Sequence, residues 1–163
     1  VNILLCVDHS TASQKAVRFT AELLGKASVP DVSVTLFHVA EFLPEYLLSD
    51  SPAPGLTSRE LAEMWAQRSR ALGQKLLDSA KQTLLSAGMA ENSVQSKLCT
   101  TSCLPEAKKV AAALSIIDEI QSGAYDVVCI GRRGASELAS SFIGGVAEKV
   151  IRECGGKTVW LVD

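Results

Sequence analysis

The chain has 163 residues, an apolar fraction of 47%, a charged fraction of 21% and a formal net charge of −2. These values describe one ordinary globular domain, expected over residues 1–163, with enough chain to bury a core without disulfides or structural metals. The weak net charge gives no electrostatic reason to expect binding to a nucleic-acid backbone. The apolar runs are far shorter than the roughly 20 residues that cross a bilayer. Five cysteines, an odd number without a CxxC pair, argue against a disulfide framework or a zinc site and for reducing cytoplasm.

Short β-rich runs alternate with helical patterns along the chain. Residues 2–7 (NILLCV) form an apolar strand ending at Asp8, and they read as a strand rather than a secretory signal. Residues 10–27 predict a helix capped by Ser10 or Thr11, with Ala16, Val17, Ala21 and Leu24 on its inner face. Residues 32–39 (VSVTLFHV) are a second strand. Residues 41–57 hold Pro44, Pro52, Pro54 and Gly55, which mark a long loop.

A long helix follows over 58–87, opened by Thr57 or Ser58 with Glu60 behind it. Its expected apolar spine is Leu61, Trp65, Leu72, Leu76, Ala80 and Leu84, and Gly88 ends it. Residues 93–99 form a more polar strand suited to a sheet edge. Pro105 opens a helix that runs to about Ser122. Residues 125–130 are a buried strand running into Gly131. A glycine-bearing loop, a helix through Val146, Val150 and Ile151, and a last strand from Thr158 to Val162 complete the chain.

Continuous apolar strands separated by helices indicate a mostly parallel sheet covered on both faces, a doubly wound α/β sandwich. Ligands in such folds bind beyond the carboxyl ends of the strands, where strand order reverses. That rule selects Asp8, the corner at His38-Val39-Ala40 and the loop from Gly131.

The main chemical signal is Gly131-Arg132-Arg133-Gly134, followed after nine residues by Gly144-Gly145. Glycines let successive amides converge on an anion, and a helix N-terminus adds partial positive charge. Arg132 and Arg133 could add charge-assisted contacts to phosphate. The bland alternative is a glycine loop with two solvated arginines. Asp8 likewise could recognise a ribose, cap the following helix, or do both. His9 and His38 have no carboxylate at ligand spacing, and Ser10 beside Asp8 and His9 is not triad geometry. No G-x-x-x-x-G-K-[ST] occurs, and no G-x-G-x-x-G follows the first strand, which excludes those phosphate motifs. A flavin site at Ser10-Thr11-Ala12-Ser13 would lack both glycine and stacking aromatics.

These residues resemble the universal stress protein (UspA-like) family across nearly the whole chain. Gly131, Gly134 and Gly144 match its G-x2-G-x9-G pattern. Val7-Asp8-His9-Ser10, His38-Val39 and Val159-Trp160-Leu161-Val162 match its first, second and last strand ends. The resemblance implies a three-layer α/β/α sandwich with a five-stranded parallel sheet in the order 3-2-1-4-5, of the adenine nucleotide alpha hydrolase-like type.

It also implies an adenine nucleotide: ATP, or ADP or AMP in its place, with Mg as an optional companion. On that resemblance Asp8 contacts the ribose, and Cys6, Val7 and Val39 line the adenosine pocket. Ile130, Arg133 and Val146 lie against the nucleotide, and Gly131, Gly134, Gly144 and Gly145 offer backbone amides to the phosphates. Val159, Trp160, Leu161 and Val162 are implied as the interface of a homodimer. One departure stands out: the family's Ser or Thr after the third glycine is Gly145 here, which removes a hydroxyl. Ser140 and Ser141 are possible substitutes for it. The expected function is a nucleotide-binding stress-response module without a catalytic residue. The alternatives are a nucleotide-free dimeric interaction module and a slow ATPase.

Overall fold

The computed structural model describes residues 1–27, 31–40, 57–100, 108–134 and 142–163. In chain order these form β1 (Asn2–Cys6), α1 (Thr11–Ala27), β2 (Ser33–Val39), α2 (Ser58–Ser86), β3 (Val94–Cys99), α3 (Lys108–Ser122), β4 (Val127–Gly131), α4 (Gly145–Glu153) and β5 (Thr158–Val162). The loop expected from 41 to 57 lies, up to residue 56, outside the described residues, as do Pro105, Ser140 and Ser141.

The five strands form one sheet in the order β3-β2-β1-β4-β5, and all four pairings are parallel. From β1 the chain winds outward through β2 to β3, then crosses to β4 and winds the other way to β5. The order therefore reverses between β1 and β4, where Leu5 sits between Leu36 on one side and Cys129 on the other. In open α/β sheets that reversal, at the carboxyl ends of β1 and β4, is where ligands bind.

Side-chain alternation divides the core into two layers. Ile3, Leu5, Val34, Leu36 and Cys129 pack with Ala16, Val17 and Ala21 of α1 and Leu77, Ala80 and Leu84 of α2. Leu4, Cys6, Phe37, Val128 and Ile130 face Ile116, Ile117 and Ile120 of α3 and Ala147 and Val150 of α4. Burial on both faces explains why β1 and β4 read as continuous apolar runs. The polar β3 lies at the sheet edge, as its composition predicts. It is tied inward by an ion pair from Lys97 to Glu119 of α3, whose carboxylate also accepts the Tyr125 hydroxyl at 2.7 Å.

The helix ends follow their local chemistry. Ser10 caps α1, its Oγ accepting the Ser13 amide at 3.0 Å. Thr57 and Glu60 form a reciprocal capping box on α2. The hydrogen bonds from Thr57 hold the Glu60 carboxyl below its ordinary range. Gly88, at φ 108°, stops that helix.

The buried stripe of α2 differs from the expected spine. Leu72 is exposed, and Gly73, Leu77, Ala80 and Leu84 are the residues buried. Their 4-3-4 spacing averages close to 3.6 residues and stays on one face, whereas repeated steps of four drift around the helix.

Candidate nucleotide site

The first wall of the candidate site is built where β1 ends. The Val7 amide still donates to the Phe37 carbonyl at 2.8 Å, so Asp8 is the first residue beyond the sheet. Its amide donates to Ser13 Oγ at 2.9 Å, and its Oδ1 accepts the Ser10 amide at 2.9 Å. Asp8 thus does not cap α1 itself; it orders the turn that presents the capping Ser10. Ser10 and Ser13 are buried, and their mutual bonding with Asp8 satisfies them. Ser13 was not among the residues expected here, although the spacing Asp8-x-Ser10-x-x-Ser13 is visible in the sequence.

The second wall begins at Gly131, the last residue of β4. A Cβ there would stand 2.9 Å from the carbonyl carbon of Ala12 and from the amide nitrogen of Ser13. Glycine lets the end of β4 lie against the first turn of α1. Three residues on, a Cβ at Gly134 would lie 3.2 Å from Asp8 Oδ2. The start of the glycine loop and the strand-end carboxylate therefore lie close together. Asp8 directs one oxygen into its own turn and the other toward the loop.

The returning end of the loop is anchored beside its start. The Gly144 amide donates to the Arg132 carbonyl at 2.8 Å, and Gly144 is the N-cap of α4, without a side-chain cap. Its φ of −68° is open to any residue, so what glycine contributes there is the absence of a side chain at a buried helix start. Gly145 and Val146 open α4, where amide dipoles converge toward the carboxyl end of the sheet.

The two arginines part company. Arg132 donates from Nη1 to the Phe142 carbonyl at 2.9 Å and pairs through Nη2 with Asp163. That hydrogen bond holds the Asp163 carboxyl below its ordinary range. What the two share is a buried Nε without a hydrogen-bond partner among the described residues.

The two histidines pack rather than react. His38 is buried, its Nδ1–H donating to the Val7 carbonyl at 2.7 Å, and His9 meets it edge-on at 6.0 Å. Cys6 and Cys129 are buried thiols. Burial, reinforced by nearby Cys129, Asp8 and Glu119, pushes the Cys6 pKa up, and burial takes Cys129 to about 11. Both stay protonated small hydrophobes at neutral pH. Among the described residues no group of three His, Cys, Asp or Glu side chains could hold a metal ion. Of the expected wall residues, Cys6, Val7 and Ile130 are buried, while Val39 and Val146 are half-buried against the α3–α4 layer.

A family model described as the universal stress protein family matches residues 2–162. The chain belongs to the universal stress protein family. Solved structures share its fold at low identity. The universal stress protein UspA from Lactobacillus plantarum superposes with a TM-score of 0.70 at 17% identity, covering 100% of this chain and 97% of that one. A universal stress protein family protein from Arabidopsis thaliana with AMP bound gives 0.62 at 15%, covering 99% and 90%. A universal stress protein in complex with cAMP gives 0.56 at 17%, covering 99% and 94%. No curated protein sequence matches significantly.

In this universal stress protein Gly131 packs on the first turn of α1, Gly134 approaches Asp8, Gly144 caps α4 and Gly145 stands as its first residue. β5 closes the sheet on that side. Its Val159, Trp160 and Val162 are half-buried and its Leu161 is exposed. Trp160 meets Phe19 of α1 edge-on at 5.7 Å. Among the described residues no helix is long and apolar enough to cross a membrane.

Proposed function

We propose that this universal stress protein binds an adenine nucleotide, with ATP as the physiological ligand, at the carboxyl ends of β1 and β4. The observation that carries the reading is the approach of Gly134 to Asp8 Oδ2, which sets a loop of bare backbone opposite a carboxylate suited to ribose hydroxyls. In this reading Asp8 holds the ribose, and Cys6, Val7, Val39, Ile130 and Val146 form the apolar wall around the base. The Gly134 amide and the N-terminal turn of α4 at Gly145, with the Arg133 guanidinium, hold the phosphates, while the Gly144 amide is taken by the Arg132 carbonyl and fixes the return of the loop. Gly131 contributes by letting β4 and α1 close together. Mg2+ enters as the counter-ion of the polyphosphate. The domain, residues 1–163, acts as a cytoplasmic homodimer paired through Val159–Val162, with nucleotide occupancy as its regulatory input rather than turnover.

AMP and cAMP in the related structures support an adenine ligand. Gly145 favours a second reading, a dimeric module that no longer retains nucleotide. The missing hydroxyl removes a hydrogen bond to a charged group, worth roughly 1.5–3 kcal/mol, or about tenfold to a hundredfold in affinity. Mass spectrometry of small molecules released on denaturing the purified protein, with thermal melts in Mg-ATP, separates the two. Released adenine nucleotide or a rise in Tm supports the site. Neither one at millimolar ATP leaves only the dimeric module.

A further inference from the structure

We propose that Arg132 is a positioning residue that fixes the glycine loop by locking its two ends to the end of β5, with Asp163 as its counter-ion, and that it is not a phosphate ligand. The inference builds on the nucleotide reading given above, but its core is a statement about the loop itself.

Four bonds converge on this one residue. Its amide donates to the Val162 carbonyl at 2.6 Å, and its carbonyl accepts the Gly144 amide at 2.8 Å. Its guanidinium donates to the Phe142 carbonyl at 2.9 Å and pairs with Asp163. The Phe142 ring, 80% exposed, lies over the guanidinium with Cζ 5.3 Å from the ring centroid. A phenyl ring that far out of the core is held by the cation beneath it. The Arg132 side chain is itself only 16% exposed.

The outgoing end of the loop carries Gly134 to Asp8, and the returning end carries Gly144 and the first amides of α4. Arg132 joins both ends to each other and to β5, so the spacing of the amide donors is set from the last strand. A planar two-armed guanidinium can reach a carbonyl and a carboxylate at once. A lysine ammonium, a point charge on a flexible stem, does not reproduce that geometry.

The rival role, direct contact with phosphate after release from Asp163, predicts the opposite sign for one substitution. If Asp163 only competes for Arg132, Asp163→Asn tightens ATP binding. If Asp163 holds the clamp, Asp163→Asn weakens it. The test compares wild type with Arg132→Gln, Arg132→Lys and Asp163→Asn, measuring Kd for ATP and for AMP, and amide hydrogen exchange at Gly144 in nucleotide-free protein. The positioning role predicts that all three variants weaken ATP and AMP by a similar factor, about tenfold. It also predicts faster exchange at Gly144 in all three, with no rescue by lysine. Tighter ATP binding in Asp163→Asn, a loss confined to ATP, or unchanged exchange at Gly144 overturns it. Should wild type bind neither nucleotide, the functional reading fails, while the exchange measurement still decides the clamp.

Discussion

Two glycines of one motif do different work, and a single methyl group at each separates them. At Gly131 the added Cβ meets backbone atoms of Ala12 and Ser13 at 2.9 Å, and neither can rotate away. The end of β4 and the first turn of α1 must move apart. Overpacking of this kind costs about 1–3 kcal/mol. The reduced freedom of the unfolded chain offsets roughly 0.4–1 kcal/mol of it. At mid-range the net is a loss of about 1.3 kcal/mol, a fall in Tm of roughly 3–5 °C for a chain of this size. At Gly134 the Cβ meets, among the described residues, only Asp8 Oδ2 at 3.2 Å, the end of a side chain that can shift, and its φ is not positive. Gly134→Ala should stay within about 0.5 kcal/mol of wild type. Its methyl group, however, stands in the space between loop and carboxylate, and Gly134→Val should abolish nucleotide binding. Thermal and urea unfolding of Gly131→Ala and Gly134→Ala, each paired with an ATP titration, checks both halves. Wild-type stability in Gly131→Ala would refute the packing argument. Wild-type affinity in Gly134→Val would refute the site.

Restoring the family hydroxyl with Gly145→Ser should tighten ATP binding about tenfold to a hundredfold in calorimetry, and an unchanged Kd would mean that position does not face phosphate. The Tyr125 hydroxyl is pushed up to about 12, first by burial and then by its bond to Glu119. A pKa raised in the folded state adds stability below the free tyrosine value near 10 and loses it as pH rises from there through about 12. Phenolate absorbance should therefore show a late step near pH 12 that disappears in Tyr125→Phe; one transition near 10 for both tyrosines would contradict this. Cys6 and Cys129, buried and held protonated, should resist a thiol reagent in native protein and react on unfolding, read by mass spectrometry of labelled peptides. Rapid native labelling of either would show that the core opens there.

The parts of the fold that were legible in the sequence are those governed by local rules. β1 and β4 announced themselves because burial on both faces leaves an unbroken apolar run, and β3 because an edge strand tolerates Gln95, Ser96 and Lys97. The caps at Ser10 and Thr57 were readable for the same reason, since each serves amides three residues away. The stripe of α2 was not, because Leu72 and Gly73 are equally compatible with a helix and only the docking of α2 on the sheet decides which faces inward. The strand ends drew attention to Asp8 and Gly134, but their juxtaposition depends on the crossover that makes β1 and β4 neighbours. Arg132 was the hardest case. In sequence it is indistinguishable from Arg133, and its partners Phe142 and Asp163 lie ten and thirty-one residues away.

The most direct measurement is a titration of isotope-labelled protein with ATP, followed through backbone amide resonances. The account predicts saturable shifts concentrated at Asp8, Gly131, Gly134, Gly144 and Gly145, with β3 and the distal half of α2 unmoved. Saturable shifts elsewhere, or a spectrum indifferent to millimolar ATP, would contradict it.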